Sequence, residues 1–228
     1  MKNIIYFTIL ASFGFAQVEY NHPELNWQTF ETEHFQIHFH DETEMTAREA
    51  ATVAEHIYPK ITGFYEFKPK EKTHLILIDP DDYSNGAAYY YDNKIMIWAS
   101  PLDFALRGSH RWLQNVITHE FAHIVSLQKA MKAGTMFPGA YLQFMNYEKE
   151  KRPDVLYGYP NTLISYPIPG TVVPPWLAEG IAQYMYENAG WDHWDTHRDM
   201  ILRDKAIHGK LLSFTEMNTF GKKGIDFL

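Results

Sequence analysis

The 228-residue chain contains no cysteine, which excludes disulfide staples, thiolate metal ligands and a lipid-modified cysteine behind an export signal. It also lacks a basic block. Twenty lysines and arginines stand against 28 acidic residues, a formal charge of −8, and the short Lys149-Glu150-Lys151-Arg152 run reads as a solvated face. A nucleic-acid partner is therefore not expected, because phosphate neutralisation needs clustered cations. No apolar run reaches the roughly 20 residues of a membrane-spanning helix, and no internal repeat or low-complexity tract occurs. At 46% hydrophobic and 21% charged residues, the composition suits a globular domain with a sizeable core.

The longest apolar run is at the N-terminus. Lys2 precedes a nearly unbroken stretch from Ile4 to Phe15, and Gly14-Phe15-Ala16 supplies small residues before Gln17. This pattern predicts a secretory signal peptide over residues 1–16 and a mature domain over 17–228, periplasmic or extracellular, with an uncleaved anchor as the alternative.

Further along, Phe35, Ile37 and Phe39 alternate with Gln36, His38 and His40, which predicts a half-buried strand. Asp41 is placed to cap a helix that carries Met45, Ala50, Val53, Ala54 and Ile57, and Pro59 is expected to kink or end it. Thr73 to Ile78 and Lys94 to Ala99 read as strands, with turn signals at Asn85-Gly86 and Asp92-Asn93. The strand–helix–strand–strand order predicts an α+β fold. A helix is then expected from an N-cap at Ser109 to about Ala133, with apolar residues Trp112, Leu113, Val116, Ile117, Phe121, Ile124, Val125 and Leu127 around most of its circumference. Such a helix is buried.

Within it stands His119-Glu120-Phe121-Ala122-His123, an H-E-x-x-H sequence. Residues four apart share one helix face, so both imidazoles can reach one metal ion, with Glu120 beside it as a general base. On a buried helix, isolated polar groups are costly unless paired or bound to metal. A hydrolytic zinc site needs a third protein ligand. Glu179 is the best candidate, in Pro174-Pro175-Trp176-Leu177-Ala178-Glu179-Gly180-Ile181-Ala182-Gln183-Tyr184. Pro175 suits the first turn of a helix that Asn188 to Gly190 would close, and Gly180 is expected to permit close approach of a neighbour or the metal.

Between the two motifs, residues 134–175 are rich in glycine, proline and aromatics and read as a functional loop or a loosely structured insert. Within it Tyr141, Leu142, Phe144 and Met145 are candidates for a short amphipathic turn. Packing is favoured over membrane contact there. Tyr184, Tyr186, His193 and His197 are candidate transition-state stabilisers. His193 and His197, with Asp195 and Asp199, repeat the four-residue spacing of a metal site, but a polar helix face is favoured. His34, His38, His40 and His110 read as surface groups.

His-Glu-Phe-Ala-His followed by Trp-Leu-Ala-Glu-Gly-Ile-Ala-Gln-Tyr resembles the gluzincin metallopeptidases, including the aminopeptidase-N-like enzymes. With the export signal and the Ile95-to-Trp98 strand, it is more closely similar to the bacterial peptidase-MA-like domains, which often precede a TolB-like β-propeller. The resemblance covers about residues 30–210. It implies a zincin-like α+β fold with a small mixed sheet and one zinc ion held by His119, His123 and Glu179, Glu120 serving as general base. It also implies a peptide or protein substrate. Two departures stand out: the 134–175 insert separates the motifs more widely than in compact gluzincins, and Asn85-Gly86-Ala87-Ala88 lacks the glutamate of the aminopeptidase G-x-M-E-N strand. An endopeptidase is therefore expected. The chain carries no propeller, consistent with a free-standing or truncated domain. The Lys94-to-Ala99 strand is the expected docking edge for an extended peptide. The competing expectation is a catalytically silent, metal-stabilised module that binds or assembles envelope partners.

Overall fold

A computed structural model of the protein describes residues 24–80, 84–100, 111–131, 141–147, 160–167, 173–191 and 196–217. The expected signal peptide, Ser109, His110 and His193 lie outside these residues, as does the side chain of His197. None of the described helices is long and apolar enough to cross a membrane.

The architecture is mixed α+β. Strands β1 (Trp27–Glu31) and β2 (Phe35–His40) form an antiparallel pair, and helix α1 (Glu44–Tyr65) follows a single 3₁₀ turn at Asp41–Thr43. Strands β3 (Thr73–Ile78), β4 (Gly86–Tyr89) and β5 (Lys94–Trp98) complete a five-stranded sheet of order β1-β2-β3-β5-β4. β2, β3 and β5 run parallel, and β1 and β4 are antiparallel edges. The chain continues into α2 (Trp112–Lys129), α3 (Pro175–Ala189), α4 (Thr196–Ile207) and a short α5 (Phe214–Met217).

The alternation read in β2 holds: Phe35, Ile37 and Phe39 face the core. They meet Leu75 and Leu77 of β3, Ile95 and Ile97 of β5, and the buried stripes of α1 and α2. Strand alternation puts one set of side chains on the helix-covered face, where removal from water stabilises each by about 1.5–3 kcal/mol. The opposite face carries a smaller cluster of Ile78, Met96 and Trp98.

Several details differ from the expectations. Pro59 lies inside α1, which continues for another turn and a half to Tyr65. Tyr58 and Ile61 on either side of it are both buried, and packing of that face outweighs the lost amide bond. The helix ends with Glu66 in the left-handed region at φ 48° and its N–H donating to the Gly63 carbonyl. Asp41 falls in the 3₁₀ turn rather than capping α1 directly. α2 begins at Trp112 after Arg111, which makes no side-chain cap.

The insert is not devoid of regular structure. A second compact unit, Ala140–Ile168, contains an antiparallel pair, β6 (Tyr141–Tyr147) and β7 (Pro160–Pro167), in register from Tyr141 opposite Pro167. The aromatic and branched residues read as an amphipathic turn form a strand, as their β propensity favours. The two prolines fall at strand ends, where a missing ladder donor is tolerated.

His34, ahead of β2, and His38 and His40 within it are not simple surface groups. His40 is buried against Trp27. His34 bonds the Glu55 carboxylate. The Thr29 hydroxyl meets His38 Nδ1 at 2.8 Å, His38 Nε2 meets His74 Nδ1 at 2.8 Å, and the two rings stack. Burial and, second, the neighbouring His74 hold His38 below the ordinary histidine value of 6.5. The folded state therefore binds fewer protons than the unfolded chain just below that value, and stability is lost as pH falls through it. With metal chelated, the unfolding temperature should drop on acidification below about pH 6.5, and His38→Gln should flatten that slope. An unchanged slope in thermal denaturation would remove this origin.

Candidate metal centre

The motif helix α2 is clamped to the β4–β5 hairpin at both ends. Trp112 Nε1 donates to the Trp98 carbonyl at 2.8 Å where β5 ends. At the other end Gln128 Nε2 donates to the Tyr90 carbonyl at 2.8 Å and to Asn93 Oδ1 at 3.1 Å. Asn93 adopts φ 49° in the turn between the strands, a conformation asparagine tolerates. Between these anchors Val116, Ile117, Phe121, Ile124 and Val125 are buried, so the polar face of the helix is fixed in rotation.

α3 brings the glutamate. Pro175 opens it at the first helical position, and Gly190 closes it in the left-handed region at φ 76°. Ala182, Met185 and Ala189 face the core. Lys60 of α1 donates to the Ala189 carbonyl at 2.6 Å. Trp191 Nε1 donates to Thr118 Oγ1 at 2.8 Å, one residue before the first motif histidine. α3 is thereby tied to both α1 and α2.

These restraints bring three ligand atoms to one place. His119 Nε2 lies 3.0 Å from Glu179 Oε2 and 3.0 Å from His123 Nε2, and His123 Nε2 lies 3.6 Å from Glu179 Oε2. Among the described residues this trio forms the one group of three or more able to hold a metal ion. Burial would raise the Glu179 carboxyl, but hydrogen bonds from His119 and then His123 overcome it and hold Glu179 well below the usual carboxylate range. Burial opposes charge on His123, yet Glu179 and Glu120 leave it raised.

Glu120 is buried beside the trio. Burial pushes its carboxyl upward, and the opposing pull of His119, His123 and the Ala88 N–H does not cancel that. A carboxyl raised by burial beside two imidazoles is of the kind that serves in proton transfer.

No family model matches the chain, and no curated protein or solved structure matches it.

The structure separates the remaining candidates. Tyr186 reaches the site: its hydroxyl is 3.4 Å from His119 Nδ1, the nitrogen turned away from the trio. Tyr184 is mostly exposed and sits against Phe64 of α1. Asp199 pairs with Arg203 along α4 and is not part of the trio. Gly180 is exposed, and a Cβ there would meet nothing within 4 Å. The expected close approach at Gly180 is therefore not made among the described residues.

A different glycine makes the close contact. Gly86, read as part of a turn, opens β4 directly against Glu120. A glycine within a strand-forming run signals close backbone approach, and that signal was available in Gly86-Ala87-Ala88-Tyr89. The expectation of an edge at Lys94 to Ala99 is corrected: β5 is paired on both sides, by β3 and β4, and among the described residues β4 has no strand beyond it.

If Nε2 of His119 faces the metal, its Nδ1–H is presented to Tyr186. His123 Nδ1, in contrast, is buried without a hydrogen-bond partner among the described residues. Outer partners of ligand histidines fix ring orientation and ligand basicity, and their loss weakens metal binding roughly 10–100-fold. Tyr186→Phe should lower affinity toward the small end of that range, measured by chelator competition, while Tyr184→Phe should not. Equal effects would remove Tyr186 from the ligand shell.

Proposed function

We propose that the protein is an exported zinc-dependent metallopeptidase of the gluzincin type, with a zincin-like arrangement of sheet and helices. The observation that carries this reading is the convergence of His119 Nε2, His123 Nε2 and Glu179 Oε2, with a buried Glu120 alongside. The donor set suits zinc: two imidazoles and one carboxylate at metal distances of about 2.0–2.2 Å stand roughly 3.3 Å apart in a tetrahedron. The separations of 3.0, 3.0 and 3.6 Å straddle that spacing. His119, His123 and Glu179 would hold the ion. The apolar run from Ile4 to Phe15 behind Lys2 supports export.

When bound, zinc supplies Lewis-acid polarisation of a peptide carbonyl and makes water acidic enough to attack near neutral pH. The chain's own groups do the rest. β4, which has no strand beyond it among the described residues, offers an edge along which an extended peptide can add as a further strand. Trp98 N–H bonds the Asn85 carbonyl at 3.0 Å, and with Gly86 opposite Ile97 this register turns the backbone groups of Gly86 and the Ala88 carbonyl away from β5, the Ala88 N–H being taken by Glu120. Glu120 takes a proton from the attacking water on a carboxylate oxygen and returns it to the leaving amide nitrogen. Tyr186 orients His119 through Nδ1.

The reading is tested by hydrolysis of a denatured protein substrate by the mature chain. Activity should vanish with a zinc chelator and return when zinc is restored. Metal that binds at one equivalent without cleavage across a broad substrate panel would favour a silent envelope-binding module instead.

A further inference from the structure

Gly86 is a glycine for a reason other than backbone conformation. Among the described residues the positive-φ glycines are Gly190 and Gly209, and Gly86 is not one of them. What excludes a side chain is space. A Cβ on Gly86 would lie 2.4 Å from Val116 Cγ2, 2.8 Å from Glu120 Oε1 and 3.0 Å from Glu120 Cγ. The groups with which it would collide are one turn apart on the inner face of α2, and the Glu120 carboxylate is the one able to move aside. Two residues along the same edge, the Ala88 N–H bonds that carboxylate. β4 therefore holds Glu120 by contact at Gly86 and by a directed donor at Ala88.

We infer that Gly86 is a positioning residue for Glu120, its missing side chain letting the edge strand close on the carboxylate and aim it at the metal trio. The inference rests on the proposed peptidase reading for its consequence, though not for its geometry. Gly86→Ala would drive the carboxylate off its seat while leaving His119, His123 and Glu179 in place. A displacement on the order of 1 Å at a reacting group costs about a hundredfold in rate.

The test uses the mature, full chain with zinc, as wild type, Gly86→Ala, Val116→Ala and the double variant Gly86→Ala/Val116→Ala. The double variant relieves the overlap with Val116 and protects against a folding failure, but it leaves the overlap with Glu120. Expected for both Gly86 variants are zinc affinity within a few-fold of wild type, KM nearly unchanged and kcat lower by about a hundredfold. Val116→Ala alone should keep its kcat. Crystal structures of the zinc-loaded variants should show the Glu120 carboxylate displaced. Wild-type kcat in either Gly86 variant, or an unmoved carboxylate, overturns the inference. So does a loss confined to folding and zinc binding, with kcat per zinc-loaded molecule unchanged. If the wild-type chain cleaves nothing, the peptidase reading fails, while the position of Glu120 in the crystals still decides the role of Gly86.

Discussion

Glu120→Gln should retain zinc at one equivalent and lose peptide hydrolysis by roughly 10²–10⁴-fold, the range for removing a positioned general base. Glutamine matches the glutamate in shape, so the tight contact with Gly86 and Val116 survives. Its amide oxygen can still accept the Ala88 N–H. What disappears is the ability to take a proton from water and hand it on. The substitution also removes a negative charge facing His119 and His123, a change that affects ligand basicity only indirectly because Glu120 is not one of the three ligand groups. Zinc content by mass spectrometry and hydrolysis of a denatured protein, measured on the same preparation, separate the two effects. Full activity in the variant would deny Glu120 its role. Loss of zinc together with activity would make it a structural support of the site.

Glu179→Ala is the second large effect, and it falls on the metal. Histidine and carboxylate sites of this kind draw on a total of about 10–16 kcal/mol by analogy with structural zinc peptides, so deleting one donor forfeits about 3 kcal/mol, more than a hundredfold in affinity. The carboxylate is also what brings the two imidazoles into register, through hydrogen-bond distances of 3.0 Å to His119 and 3.6 Å to His123. The metal-free protein should lose stability as well. The folded state holds Glu179 below its ordinary range, so its stabilising contribution is present at neutral pH, starts to fall below the ordinary carboxylate value of 4.5 and is lost only as pH drops through the depressed folded value. The Ala variant should therefore be less stable than wild type at pH 7, with the difference shrinking on acidification. His193→Ala and His197→Ala should leave zinc affinity unchanged. A large effect at His193 or His197 with none at Glu179 would relocate the site to the Trp191–Asp199 segment.

How much of this was legible beforehand follows from which forces act locally. The β2 alternation, the start of α3 at Pro175, its stop at Gly190 and the shared face of His119 and His123 are properties of neighbouring residues, and periodicity carries them. The α+β order was readable for the same reason. Pro59 does not end α1, because the packing of Tyr58 and Ile61 is tertiary and propensity yields to it. The strands β6 and β7 were missed because neither shows a two-residue alternation: the β6 aromatics Tyr141, Phe144 and Tyr147 are three apart, and glycines and prolines punctuate the insert. Gly180 and Gly86 exchange roles for a reason no local pattern contains: only the pairing of β4 outside β5 brings Gly86 onto α2. The same pairing leaves β4 rather than β5 at the edge of the sheet among the described residues.

The most direct test of the account is anomalous diffraction at the zinc edge from crystals of the mature chain grown with one equivalent of zinc. A single peak is expected about 2.0–2.2 Å from His119 Nε2, His123 Nε2 and Glu179 Oε2, with the Glu120 carboxylate beside the open coordination position. No peak, or a peak whose ligands come from the Trp191–Asp199 segment, would contradict it.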